Sequence, residues 1–278
     1  AQDIGMEYMG PASFMAVRFF LGSAVLLPVI IVRGAIRPAG KRAEGAKKPA
    51  GEGLPVLIKS GLLCGTALFF LGFLQQVGII YTSVGKAGFI TSLYMIIVPA
   101  LGAFMGRRVS KSLLACIAAA LAGMYLLCVN GSEPINKGDL LIFLCSFACS
   151  AHILLIDRFA PRVDSLRLSS LQFFVCGLIS LAAALATEEM SLEAVWAARM
   201  PILYTGALSC GVAYTLQIVG QKYVNPVVAS LLMSLEAVFA VLTGWIVLDD
   251  VLSPRETLGC MLIFAAIISA QLPDMKNR

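Results

Sequence analysis

The sequence predicts an all-α integral membrane protein: a ten-helix inverted-repeat bundle, five plus five, with the first helix missing and nine helices present. Three observations carry that prediction. Of 278 residues, 59% are apolar and only 13% charged, with a mean hydropathy of +0.89, whereas a soluble domain is roughly half apolar and about a quarter charged. The apolar residues fall into runs long enough to cross a bilayer, and one half of the chain echoes the other. Disorder, collagen-like sequence and a small disulfide scaffold are excluded, because none of them is this apolar.

A membrane helix needs about 20 mostly apolar residues bounded by charge, Pro, Gly or Asn. Nine such runs follow in order: 12–32, 54–80, 85–106, 112–130, 138–157, 168–187, 200–220, 225–248 and 256–272. Short connectors favour antiparallel neighbours. Residues 33–53 differ, forming a basic Pro/Gly/Ala-rich linker expected outside the bilayer. In 188–199, acidic residues flank Leu192, Val195 and Trp196, the pattern of a short interfacial helix. All eight cysteines lie inside apolar runs with no CxxC or zinc-type spacing, so they read as packed free thiols. No metal site, cofactor or catalytic set is expected.

The repeat decides the architecture. Leu74, Gln75, Val77, Gly78 and Tyr81 recur 142 residues later as Leu216, Gln217, Val219, Gly220 and Tyr223. The same offset carries Arg107-Arg108 onto Asp249-Asp250, and VRFFLG at 17–22 resembles LQFFVC at 171–176 at an offset of 154. The longer 33–53 linker accounts for the difference of 12. The first repeat spans 1–130 and the second, inverted repeat 131–278. The second holds five spans and the first four, so the counterpart of 138–157 is expected before residue 1. An odd number of spans per repeat inverts one half relative to the other, the plan of many secondary transporters.

Charge gives the orientation. With the carboxyl terminus inside, inner segments collect Arg33, Arg37, Lys41, Arg42, Lys47, Lys48, Arg107, Arg108, Lys111, Arg158, Arg162, Arg167, Lys222, Lys276 and Arg278. Outer segments hold only Lys86, Lys137, Arg199 and Arg255, which satisfies the positive-inside rule. The net charge of +5 therefore reports topology, and no nucleic-acid partner is expected because no basic stripe exists. The expected location is the inner (cytoplasmic) membrane, multi-pass, with a cytoplasmic carboxyl terminus.

The segment GKAGFITSLYMIIVPALGAFMGRR and its partner AYTLQIVGQKYVNPVVASLLMSLEAVFAVLTGWIVLDDVLSPRETLGCMLIFAAI resemble the EamA branch of the drug/metabolite transporter superfamily, over almost the whole chain. The resemblance implies a ten-helix transporter fold and leaves the substrate open. Many relatives end the repeat on an acidic residue; here that position is Arg107-Arg108 or Asp249-Asp250, and it is assigned no transport role.

Ionisable groups inside spans are costly and are functional candidates by default. Glu236, about mid-depth, reads either as a proton-coupling or substrate-amine site or as a hydrogen-bonded packing residue. Its repeat counterpart is Tyr94. Arg18 lies seven residues into its span and can bind an anion, pair with Glu236, or snorkel outward. His152, the only histidine, is a hydrogen-bonding or cavity-lining residue. Cys210, Tyr214, Gln217 and Gln221 follow i, i+4, i+7, i+11 spacing and should share one helical face, with Gln75 the symmetric partner of Gln217. Pro99 should kink or loosen the 85–106 helix, and the pairs Gly61/Gly65 and Gly102/Gly106 should let helices approach closely.

These features point to a secondary transporter, in the exporting direction, of small organic metabolites or drugs by alternating access between repeats. The alternative is a membrane-embedded scaffold or sensor without transport. An enzyme would need paired aspartates, Ser/His or HExxH within the spans, and none is present. The expected partners are a small-molecule substrate, the lipid bilayer, protons and a second copy of the chain.

Overall fold

The computed structural model describes residues 2–36, 53–104, 106, 109–129, 134–247 and 253–276. Most of the basic linker, Arg107, Arg108, Asp249 and Asp250 lie outside the described residues. In chain order the helices are α1 (Gln2–Met6), α2 (Pro11–Ile36), α3 (Leu54–Ile79), α4 (Val84–Thr91), α5 (Tyr94–Phe104), α6 (Lys111–Cys128), α7 (Lys137–Phe159), α8 (Ser165–Thr187), α9 (Leu192–Ala197) and α10 (Arg199–Leu203). A π-helix over Tyr204–Tyr214 follows, then α11 (Thr215–Gln221), α12 (Pro226–Met233), α13 (Leu235–Val247) and α14 (Pro254–Lys276). The chain is an all-helical membrane bundle. Among the described residues, seven helical stretches are long and apolar enough to cross a bilayer, and Pro226–Phe239 is a shorter apolar one.

Local chemistry sets the helix starts. Asp164 accepts from Leu166 N and Arg167 N to open α8, Asn225 accepts from Val227 N ahead of Pro226 in α12, and Ser110 accepts from Leu113 N in α6. Two capping boxes occur: Asn136 with Asp139 at α7, and Ser253 with Glu256 at α14. The interfacial segment forms α9, whose Leu192 and Trp196 are 88% and 72% exposed.

The chain divides into two compact units, each drawing on both sequence halves: residues 1–76 with 155–223, and residues 77–154 with 224–278. In the first unit α2 packs along α8 through Phe19 on Phe173, Phe20 on Phe174, and a Ser23 hydroxyl donating to Ser170 O at 2.9 Å. A Cβ on Gly65 of α3 would stand 2.8 Å from Gln172 O of α8, and one on Gly61 would collide with Leu171. α2 also packs on the π-helix, where a Cβ at Gly22 would come within 2.6 Å of Cys210 Cβ. Arg33 reaches Asp164 at 3.4 Å. The carboxylate of Glu188, just past α8, accepts from Ala12 N, Ser13 N and Ser13 Oγ at 2.9, 2.8 and 2.6 Å, capping α2.

In the second unit α6 and α14 touch backbone to backbone, since a Cβ on Gly123 would lie 2.7 Å from Gly259 O. α5 packs on α12, and α4 on α6. Asp139 meets Lys86 Nζ at 2.6 Å and accepts from Thr82 Oγ1 at 2.6 Å, while Lys86 also donates to Pro134 O.

Three expectations are corrected. The 85–106 run breaks at Ser92–Leu93, not at Pro99, which lies buried inside α5. The 225–248 run is not one helix but parts at Ser234. Gly106 is no packing partner of the buried Gly102: it lies beyond α5 at φ 80° with open space around it, a left-handed turn position suited to glycine.

Candidate functional site

The two helix breaks share one local feature. Ser92 Oγ donates to Phe89 O at 2.6 Å and Ser234 Oγ donates to Leu231 O at 2.6 Å. Such a bond competes with the backbone ladder, but Ser60, Ser146 and Ser230 make it within unbroken helices, so it accompanies the breaks without dictating them. Around both breaks the N–H groups turn to i−3 carbonyls, as in Leu93 N to Ile90 O and Ser234 N to Leu231 O, so the backbone tightens without opening. Ser92 and Ser234 stand 142 residues apart, the repeat offset, and each is followed by Leu and then by Tyr94 or Glu236. Both breaks lie in the second unit.

Each chain restart therefore presents one polar side chain. Tyr94 opens α5 and is buried; Glu236 sits in the first turn of α13 and stays accessible. Tyr94, Cys149 and Glu236 lie within electrostatic reach of one another. Met95 on α5 and Ser230 on α12 are fully buried. His152, also buried, follows Cys149 by three residues on the same face of α7. The arrangement offers an accessible carboxyl, able to carry a proton or to meet a cation, set against a buried phenol, thiol and imidazole-bearing helix.

The first unit holds a second set. Arg18 is 4% exposed, so it does not snorkel; its guanidinium carbon lies 4.8 Å from the Phe19 ring centroid and 5.6 Å from that of Phe14. Its Nε lacks a hydrogen-bond partner, and no ion pair to it occurs among the described residues. Cys176 and Cys210 lie within its electrostatic reach. Phe173 links this cluster to Tyr214, whose ring meets it edge-on at 6.3 Å.

The expected Cys210, Tyr214, Gln217, Gln221 stripe needs correction. Its spacing assumes an α-helix, but residues 204–214 are a π-helix. The buried residues instead run Thr205, Cys210, Thr215 at steps of five, then Ile218 and Gln221 once α geometry resumes, while Tyr214 and Gln217 are half-buried. Gln75 is half-buried too, and its neighbour Gln76 is the fully buried amide.

Sequence reasoning missed Ser92, Ser234, Cys149, Gln76 and the π-helix. The recurrence of Ser-Leu at the repeat offset was a visible signal for the first two. Gln76 carried none, since its counterpart is the apolar Ile218.

The EamA-like transporter family model matches the chain twice, over residues 1–129 and 136–270. A protein from Archaeoglobus fulgidus described as an uncharacterized transporter is 30% identical over 275 residues, covering 97% of this chain and 79% of its own length. A solved structure, described only as the crystal structure of a protein, superposes with a TM-score of 0.74 at 19% identity, covering 99% of this chain and 93% of its own. That likeness concerns the fold alone.

Proposed function

From the premise that this chain belongs to the EamA-like transporter family and is a multi-pass membrane transporter, we propose that it is a secondary transporter that exports small organic metabolites or drugs by alternating access, with protons moving the other way. It would act in the cytoplasmic membrane with its carboxyl terminus inside. The observation that carries this reading is the pair of helix breaks at one repeat offset, which place Tyr94 and Glu236 at equivalent sequence positions within one compact unit. Interrupted helices at corresponding positions of two repeats are where secondary transporters bind substrate and coupling ions. An accessible carboxyl beside buried neighbours can hold a proton or a cationic group, but not both, and that competition links proton entry to solute exit.

Reconstitution of the full chain into proteoliposomes tests this. Wild-type protein should show solute counterflow and should accumulate substrate when a proton gradient is imposed. Glu236→Gln keeps the shape and most hydrogen bonds without titrating, so counterflow should persist while accumulation falls to background. Undiminished proton-driven accumulation by a folded Glu236→Gln protein would remove the coupling role, and absence of counterflow across a broad solute panel would remove transport itself.

A further inference from the structure

We propose that Arg18 and Gln76 form a subsite in the first unit for the carboxylate of a small organic anion. Arginine keeps its charge in any protein setting and carries five N–H donors in a planar fork. Here the residue is 96% removed from solvent, yet its Nε has no hydrogen-bond partner and no counter-ion occurs among the described residues. The rings of Phe14 and Phe19 offset part of the cost through cation–π attraction, but a ring face accepts none of the in-plane N–H bonds.

The facing helix supplies the second half. Arg18 lies near Gly72 of α3, where a Cβ would stand 3.6 Å from Nη2 and 2.7 Å from Met15 Cε. Gln76 follows Gly72 by four residues, on the same face one turn along. It is fully buried, and both Nε2 and Oε1 lack partners. A guanidinium whose Nε has no partner and an amide whose Nε2 and Oε1 have none thus belong to neighbouring stretches of α2 and α3 within one unit. Buried polar groups are nearly always hydrogen-bonded, so two such side chains left unmatched together mark a place for a ligand.

The chemistry of that ligand follows from the donors. A carboxylate takes two parallel N–H bonds from a guanidinium and leaves a lone pair for Gln76 Nε2, while Gln76 Oε1 can accept from a hydroxyl or amine on the same molecule. One fixed positive charge balances a monoanion, whereas a phosphate dianion would leave net charge buried. The flanking Phe14, Met15 and Phe19 suit an apolar body. This inference rests on the transport reading only in calling the ligand a substrate, because binding itself is measured without transport.

The test is thermal stabilisation of the full-length protein in detergent by benzoate and 3-phenylpropionate, against benzamide, 3-phenylpropionamide and inorganic phosphate. At least one carboxylate should stabilise wild-type protein, with no effect of its amide or of phosphate. Replacing Arg18 with Gln should weaken binding at least about tenfold, the scale of a charge-assisted bidentate contact. Gln76→Leu should weaken it severalfold in a protein that folds, since the counterpart position accommodates Ile218. Lys59→Gln, which removes a cation elsewhere on α3, should leave it unchanged. Equal stabilisation by the amides or by phosphate, no stabilisation by either carboxylate, or full affinity in Arg18→Gln or Gln76→Leu would overturn the subsite. Carboxylate binding without counterflow would instead count against transport alone.

Discussion

In the first unit Arg18 lies buried against its own helix's phenylalanines with no counter-ion among the described residues, whereas in the second Lys86 meets Asp139 at 2.6 Å and Glu236 stays accessible in the first turn of α13. The difference separates charges held for structure from charges left open for use. Asp139 has every oxygen employed, by Lys86, Thr82 and Asn136 N, and it opens a helix, so its ionisation is tied to the fold. Arg18 and Gln76 have unused hydrogen-bonding groups, and the fold gains nothing visible from them. An uncompensated buried charge survives where something other than stability requires it.

That contrast can be broken by measurement, most sharply in the second unit. Asp139→Leu leaves the nearly buried Lys86 without its counter-ion and should cost about 3 kcal/mol of stability, read from denaturant unfolding in mixed micelles; a loss no larger than that of a surface substitution would undo the structural assignment. Arg18→Met should act in the opposite direction, raising ligand-free stability by about 2 kcal/mol because an unpaired charge is replaced by an apolar side chain of similar length. A loss of stability there would show that Arg18 has structural partners and would erase the contrast. Smallest should be Glu188→Gln, which keeps an acceptor at the head of α2 but removes the charge facing the helix dipole, costing about 1 kcal/mol. No change in melting temperature would mean that water replaces the cap.

How much of this was legible in the sequence depends on what each feature needed. Spans such as 168–187 and 138–157 were readable to within a few residues, because apolar length alone defines them, and the interfacial helix at Leu192–Ala197 announced itself through Trp196 beside acids. The break at Ser92–Leu93 was misplaced because Pro99 was credited with the interruption, and the one at Ser234 was not expected at all. The structure places the breaks at Ser92 and Ser234, whose hydroxyls bond three residues back, but Ser60, Ser146 and Ser230 make the same bond within unbroken helices, so no single residue type marks a break in advance. The π-helix was invisible for a related reason: nothing in YTGALSCGVAY demands an i+5 ladder, and only packing against α2 reveals its five-residue rhythm of burial. Among site residues, Arg18 and Glu236 stood out as charges in apolar runs. Gln76 was passed over for Gln75 because the repeat pointed to the neighbour, although the structure buries Gln76 completely.

The cap on α2 carries a consequence for biosynthesis. α2 emerges from the ribosome long before its partner, since the Glu188 carboxylate that closes its leading turn lies 176 residues downstream of Ala12. At about 5–20 residues per second, the wait is roughly ten to thirty-five seconds. During it the amides of Ala12 and Ser13 must be satisfied by water or headgroups, and the groove that α8 fills stands open to whatever membrane factor is at hand. α2 is thus a long-lived, half-finished helix during insertion, and its completion is timed by the arrival of one glutamate.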